Sequence, residues 1–203
     1  MRFNQVLTGV FIVAFAGGGV LGDIVRTDGF SSLQFESFEN ASINFEYGQA
    51  EVFNGMATVF NTGGSWIHAA SSDIYIMTLQ PYEGQMQMGA MEGAIAYQFD
   101  SPQKSFGGYF SAVGSVADGI ASFYSGGTLI DTQALYASAD SAWTWNGWTS
   151  DQPFDRVVIE SNLSTKGYLV HDAIRVLSVE VPSPGSSVLA IGSAMVLLRR
   201  RRA

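Results

Sequence analysis

Between Gly17 and Glu180 this 203-residue sequence holds no long helical period; its apolar residues come in short runs, broken every few positions by glycine, asparagine or aspartate. A chain patterned this way buries its apolar side chains by pairing extended segments, because a helix needs apolar positions recurring at three- and four-residue spacing over several turns. Residues 73–79 are apolar-rich with partial alternation. In 93–99, Ile95, Tyr97 and Phe99 fall on one side of an extended segment, as Phe106, Gly108 and Phe110 do in 104–112. Residues 155–160 and 168–176 are further β-branched segments. The pairs Asn54-Gly55, Asp118-Gly119 and Asn146-Gly147 accept positive φ and lie between candidate strands, so they predict three hairpin-like joints. With 23 glycines, 14 phenylalanines, 8 tyrosines and 14% charged residues, the expected fold is all-β, an antiparallel β-sandwich of jelly-roll type. The length allows one domain with a sizeable core.

Charge narrows the partners. The segment 17–180 keeps five basic residues (Arg26, Lys104, Arg156, Lys166 and Arg175) against all eighteen acidic ones. Such a body repels a phosphate backbone, which argues against nucleic acid as a partner, and it attracts cations, calcium among them. The plainest role of these carboxylates is a solvated surface. The absence of cysteine removes zinc–thiolate sites, thiol catalysis and disulfides together.

The two ends differ from the body. Arg2 precedes an apolar stretch from Val6 to Ala16 that closes on Ala14-Phe15-Ala16, the layout of a secretory signal peptide cleaved after Ala16. The glycines at 17–22 spell G-x-G-x-x-G, but they follow no strand and open no helix, so they predict no dinucleotide site. At the other end, Val181, Pro182, Ser183 and Pro184 precede an apolar run from Val188 to Leu198 and then Arg199, Arg200, Arg201 and Arg202. The run is shorter than the roughly twenty residues that span a bilayer, and the arginines would remain cytoplasmic. The prolines leave the segment ahead of the run extended and accessible. The chain thus divides into a signal segment at 1–16, a body at 17–180 and a tail at 181–203.

This order of parts resembles the bacterial PEP-CTERM sorting signal, with Ser183 where that motif usually carries glutamate. The resemblance implies recognition by an exosortase-like processing enzyme, a short C-terminal hydrophobic helix held transiently in the inner membrane, and delivery to the envelope, outer surface or extracellular matrix. The second half of the body resembles the sandwich domain common in PEP-CTERM proteins, itself similar to jelly-roll carbohydrate-binding modules. The residues that carry it are "FDSPQKSFGGYFS", "GIASFYSGGTLIDT", "WNGWTSDQPFDRVVIES" and "GYLVHDAIRVLS", from Phe99 to Ser178. For such modules the resemblance implies a structural calcium between first and last strands, whose nearest counterparts are Glu36 or Glu39 and Asp172; no other cofactor is expected.

Among the aromatics, Trp143 and Trp145 stand two apart and share one face of a strand, where flat rings can stack on sugar C–H patches. Trp148, beyond the Asn146-Gly147 joint, is expected in the core, and Trp66, Tyr82 and Tyr124 are weaker candidates. His68 and His171 stand in no ligand spacing, and His171 beside Asp172 is expected to face solvent. Met86, Met88 and Met91 read as gap-fillers in a loop, and the N-x-S matches at Asn40 and Asn162 as chance. With no catalytic motif, the expectation is a non-enzymatic exported protein, structural or adhesive; the alternative is a carbohydrate-binding module that takes extracellular polysaccharide on its tryptophan face, with calcium as a structural ion, and a third reading is an extracellular hydrolase.

Overall fold

The computed structural model describes residues 23–32, 34–40, 45–63, 67–71, 79–90, 93–113, 118–138, 142–161 and 168–179. The signal segment, the sorting tail, Trp66, Met91, Asn162 and most of the strand expected over 73–79 lie outside the described residues. Twelve strands account for most of the rest: β1 (Ile24–Arg26), β2 (Gln34–Glu36), β3 (Phe45–Tyr47), β4 (Gln49–Val52), β5 (Ala57–Asn61), β6 (Ile67–Ala70), β7 (Gln87–Ala90), β8 (Ile95–Val113), β9 (Asp118–Ser125), β10 (Thr128–Tyr136), β11 (Thr144–Ser161) and β12 (Tyr168–Ser178). Every pairing between them is antiparallel.

Two long strands, β8 and β11, run through both layers of a sandwich. In one layer the order is β10-β9-β11-β8-β5-β4, using residues 156–161 of β11 and 95–99 of β8. In the other, β1 pairs with residues 148–150 of β11, residues 144–149 of β11 pair with 105–110 of β8, and the later part of β8 pairs with β12. From β12 the second layer continues to β7, β6 and β3 at one end and to β2 at the other. The register of β8 against β11 shifts between Thr149 and Arg156, at a bend that holds Pro102 and Pro153. A proline has no N–H to give a ladder, so a bulge where strands change layer is one of the few places a central strand admits it.

The core is aromatic. Tyr97, Phe99 and Phe123 of the first layer meet Phe106, Phe110 and Trp148 of the second, with Phe154 at the bend. Centroid separations are 5.4 Å for Tyr97 and Phe106, 5.6 Å for Phe123 and Trp148, and 5.2 Å for Phe123 and Phe154. Such pairs add about 0.5–1.5 kcal/mol each beyond the area they bury.

The antiparallel sandwich expected from the sequence is therefore the fold, with local corrections. Of the three expected joints only Asn54-Gly55 is a turn: it links β4 to β5 with φ of 56° and 84°. Asp118-Gly119 lies inside β9, paired with Tyr136 and Leu135, and the β9–β10 turn falls instead on Gly126-Gly127. Asn146-Gly147 lies inside β11. The segment 87–90, expected as loop, is β7, and Met86 and Met88 are buried. His171 is fully buried rather than facing solvent.

Candidate functional site

The outer surface of the second layer carries a band of aromatic rings. Trp145 on β11 stands opposite Tyr109 on β8, with ring centroids 5.4 Å apart. Tyr82, from the loop before β7, lies on Tyr109 with centroids 3.5 Å apart and planes 13° apart. Trp143 meets the edge of Tyr82 at 6.3 Å, and Phe30 meets Trp145 at 6.0 Å. The structure thus brings Trp143 and Trp145 into one surface, but through Tyr109 and Tyr82. Tyr82 remains 43% exposed, so its ring is open to a ligand.

Each ring is fixed from below. The Trp145 indole lies over Gly147: a Cβ there would stand 2.8 Å from its ring atoms, and one at Gly107 would stand 3.0 Å from its far edge. Gly147 is therefore a rest for the indole and not a turn residue. Its neighbour Asn146 faces inward, where its amide donates to the Tyr136 carbonyl at 2.7 Å and accepts from the Tyr136 N–H at 2.8 Å, as a partner strand would. Trp145 donates its indole N–H to the Thr27 carbonyl at 3.0 Å, and Trp143 to the Gln80 carbonyl at 2.9 Å. Both tryptophans thus spend their polar atom on the protein and keep apolar ring surface half-exposed. Arg175 lies beside the band, its guanidinium carbon 5.9 Å from the Trp145 centroid and 5.7 Å from Phe35.

The loop that presents Tyr82 is tied down by two of the three acidic residues singled out from sequence. Asp172 on β12 accepts from the Glu83 N–H at 2.9 Å and from its neighbour Ala173 at 2.6 Å, and the Tyr82 backbone also bonds it. Glu39 accepts from the N–H groups of Gln85 and Met86 at 2.8 and 2.9 Å. Glu36 goes elsewhere, to the N–H groups of Phe38 and Phe53. Burial raises the Asp172 carboxyl to about 7; the amide donors hold it down, and the Glu39 charge adds to the rise. Amide N–H groups, with their positive ends inward, face Asp172 and Glu39, whereas a calcium ion needs six to eight oxygens around it. Among the described residues no group of three or more acidic or histidine side chains converges as a ligand set. This donor set fits a loop clamp better than a cation shell.

On the inner side of the same strand, His171 packs among Phe38, Tyr97 and Phe110, with Nε2 2.5 Å from the Tyr97 hydroxyl. Burial drives its imidazole down to about 3, so it stays neutral.

Tyr109 is the band residue that sequence reasoning misses, and Tyr82 is one that it ranks below the tryptophans. Tyr109 carried a signal, since it alternates with the core residues Phe106, Phe110 and Gly108 and so faces out; Tyr82 sits in a loop with none.

No protein-family model and no curated protein matches the sequence. Among solved structures the chain is similar to the K2 cleaved adhesin domain of Lys-gingipain, at 12% identity and a TM-score of 0.51, covering 71% of this chain and 97% of that one. It is also matched to the CBM22-1 xylan-binding domain of Paenibacillus barcinonensis Xyn10C at 16% identity and a TM-score of 0.40, covering 78% of this chain and 97% of that one. A family 29 carbohydrate-binding module matches at 12% identity and a TM-score of 0.35, covering 75% and 91%. At these identities the likeness to the adhesin domain concerns the fold alone, a two-layer β architecture.

Proposed function

We propose that this protein is a non-catalytic, exported adhesive module that holds polysaccharide against the outer aromatic band. The observation that carries the reading is the contiguity of Trp143, Tyr82, Tyr109 and Trp145 on a solvent-facing sheet, each indole N–H already satisfied. Ring surface whose hydrogen-bonding edge is already spent on the protein suits the C–H face of a sugar, and Arg175 at the margin offers donors to hydroxyls. The fold shared with an adhesin domain is compatible with this role. The non-catalytic part of the reading is supported by where the reactive groups lie: His171 is neutral and buried against Tyr97, and Glu36, Glu39 and Asp172 are engaged by backbone amides. Export to the envelope or extracellular matrix rests on the N-terminal signal pattern and on the Pro182/Pro184, apolar and arginine order of the tail, which an exosortase-like enzyme would process.

Affinity electrophoresis or a glycan array with the purified protein tests the binding. Tyr82→Ala and Trp143→Ala should each weaken retention at least about tenfold; Tyr82→Ala should leave the urea midpoint near that of the parent, since its side chain lies outside the core, whereas Trp143→Ala should lower it somewhat, since the indole packs against the buried Leu79 and Val170. Unchanged retention in both variants removes the proposal. Export is tested separately, by locating the protein in its host with and without residues 182–203; identical location and intact mass would refute the sorting role.

A further inference from the structure

A separate cleft of about 470 Å³ opens between the turn after β2 and the β4–β5 hairpin, and it shares no lining residue with the aromatic band. Its apolar lining is the half-buried Ala50, with Phe38, Val52 and Met88 buried behind it. Around it stand the exposed side chains of Asn40, Gln49, Glu51 and Asn54. The volume falls within the range of about 300–1,000 Å³ usual for small-molecule sites.

The backbone here is held in a costly form. Among the described residues four that are not glycine have left-handed φ, and three of them, Phe38 at 61°, Phe53 at 54° and Asn54 at 56°, border or underlie this cleft. For a bulky side chain that region is a genuine outlier, and such outliers gather at ligand clamps. The Glu36 carboxylate holds both phenylalanines in place, accepting from the Phe38 N–H at 2.8 Å and from the Phe53 N–H at 2.7 Å. The rim is thereby set before any ligand arrives, which lowers the ordering cost of binding.

We propose that this cleft is a second saccharide site, taking a short, non-anionic sugar. The choice of ligand class rests in part on the glycan reading above. Three carboxamides supply both donors and acceptors and Glu51 supplies acceptors, which matches hydroxyls that both give and receive hydrogen bonds. Ala50, with the edges of Phe38, Val52 and Met88 behind it, suits the C–H side of a sugar ring. None of the lining residues is basic, so uronates, sulfates and phosphates find no counter-charge. A bare cation fits less well: Glu36 is committed to amides, and the single remaining carboxylate of Glu51 falls far short of an oxygen cage.

Amide chemical shifts of the full-length chain, titrated with cellobiose, mannobiose and xylobiose, with glucuronic acid, and with calcium chloride alone, test this. At least one neutral disaccharide should move the Asn40, Asn54 and Gly55 signals. Gln49→Ala combined with Asn54→Gly, which keeps a left-handed residue in the turn, should weaken that response at least about tenfold. Tyr82→Ala should leave the cleft response unchanged while removing shifts around Trp145. If neutral sugars move only signals around Tyr82 and Trp145, the cleft site is refuted and the band stands. If they move neither, both readings fall. A cleft response to glucuronic acid that equals the neutral response, or a response to calcium alone, overturns the assignment of ligand class.

Discussion

The two faces of the second layer carry nearly the same residue types and put them to opposite uses. Inside, Trp148 is completely buried, stacked on Phe106 at 6.4 Å and edge-on to Phe123. Outside, three residues earlier on the same strand, Trp145 rests on glycines and stays half-exposed. The neighbours His171 and Asp172 repeat the contrast on β12, two strands across the layer: the first faces the aromatic core, the second lies under the Tyr82 loop. Indole and ring area alone therefore say little about role. What separates the faces is the opposing layer, which covers one set of rings and leaves the other to solvent.

The largest effect should come from emptying the inner side. Trp148→Ala removes the biggest buried side chain and should cost about 3–5 kcal/mol in urea unfolding, whereas Tyr82→Ala outside should cost less than about 1 kcal/mol. Similar losses for both would mean that the faces are not distinct. A smaller change should follow from Gly147→Ala, because the new methyl meets the Trp145 ring and the indole must lift; we expect about 1–3 kcal/mol and an altered tryptophan emission. An unchanged spectrum would show that Gly147 does not seat the ring.

The finest test uses pH. His171, at about 3 when folded against 6.5 when free, leaves the native state with fewer protons over that interval, so its contribution grows as pH rises and is lost toward pH 3. Asp172, at about 7 when folded against 3.8, leaves the native state with more protons, so its contribution is full below 3.8 and is lost as pH rises to about 7. From 3.8 to 6.5 the two slopes oppose and should nearly cancel. In His171→Phe the Asp172 slope stands alone, and stability should fall as pH rises through that window. Equal slopes in parent and variant would contradict the burial of His171.

Much of the fold was legible because alternation is local. The runs at 93–99, 104–112, 155–160 and 168–176 lie largely or wholly within β8, β11 and β12. That 95–113 is a single strand was not legible, since Pro102 interrupts the pattern and only the bend between layers explains its presence. Asn146-Gly147 misled for a similar reason. The pair favours turns in isolation, but here one residue is bound to Tyr136 and the other lies beneath an indole, partners that only the tertiary structure supplies. His171 escaped because the bulge at Ala173, with φ of 51°, shifts the phase of β12 so that His171 and Ile174 both point inward, three apart. In the band, the tryptophans announced themselves by type, while Tyr82 is recruited by a loop whose clamp spans Glu39 and Asp172.

The register across the second layer also fixes where the described chain enters and leaves the body. Val25, Thr149, Ser105 and Leu177 form one row through β1, β11, β8 and β12, so the described chain comes in beside the point where it goes out, three strand spacings or about 15 Å apart. Trp145 and Tyr109 stand four residues along, roughly 13 Å from that row, with Trp143 beyond. Both ends of the described body thus lie at one rim of the layer, and the aromatic band lies toward the opposite rim.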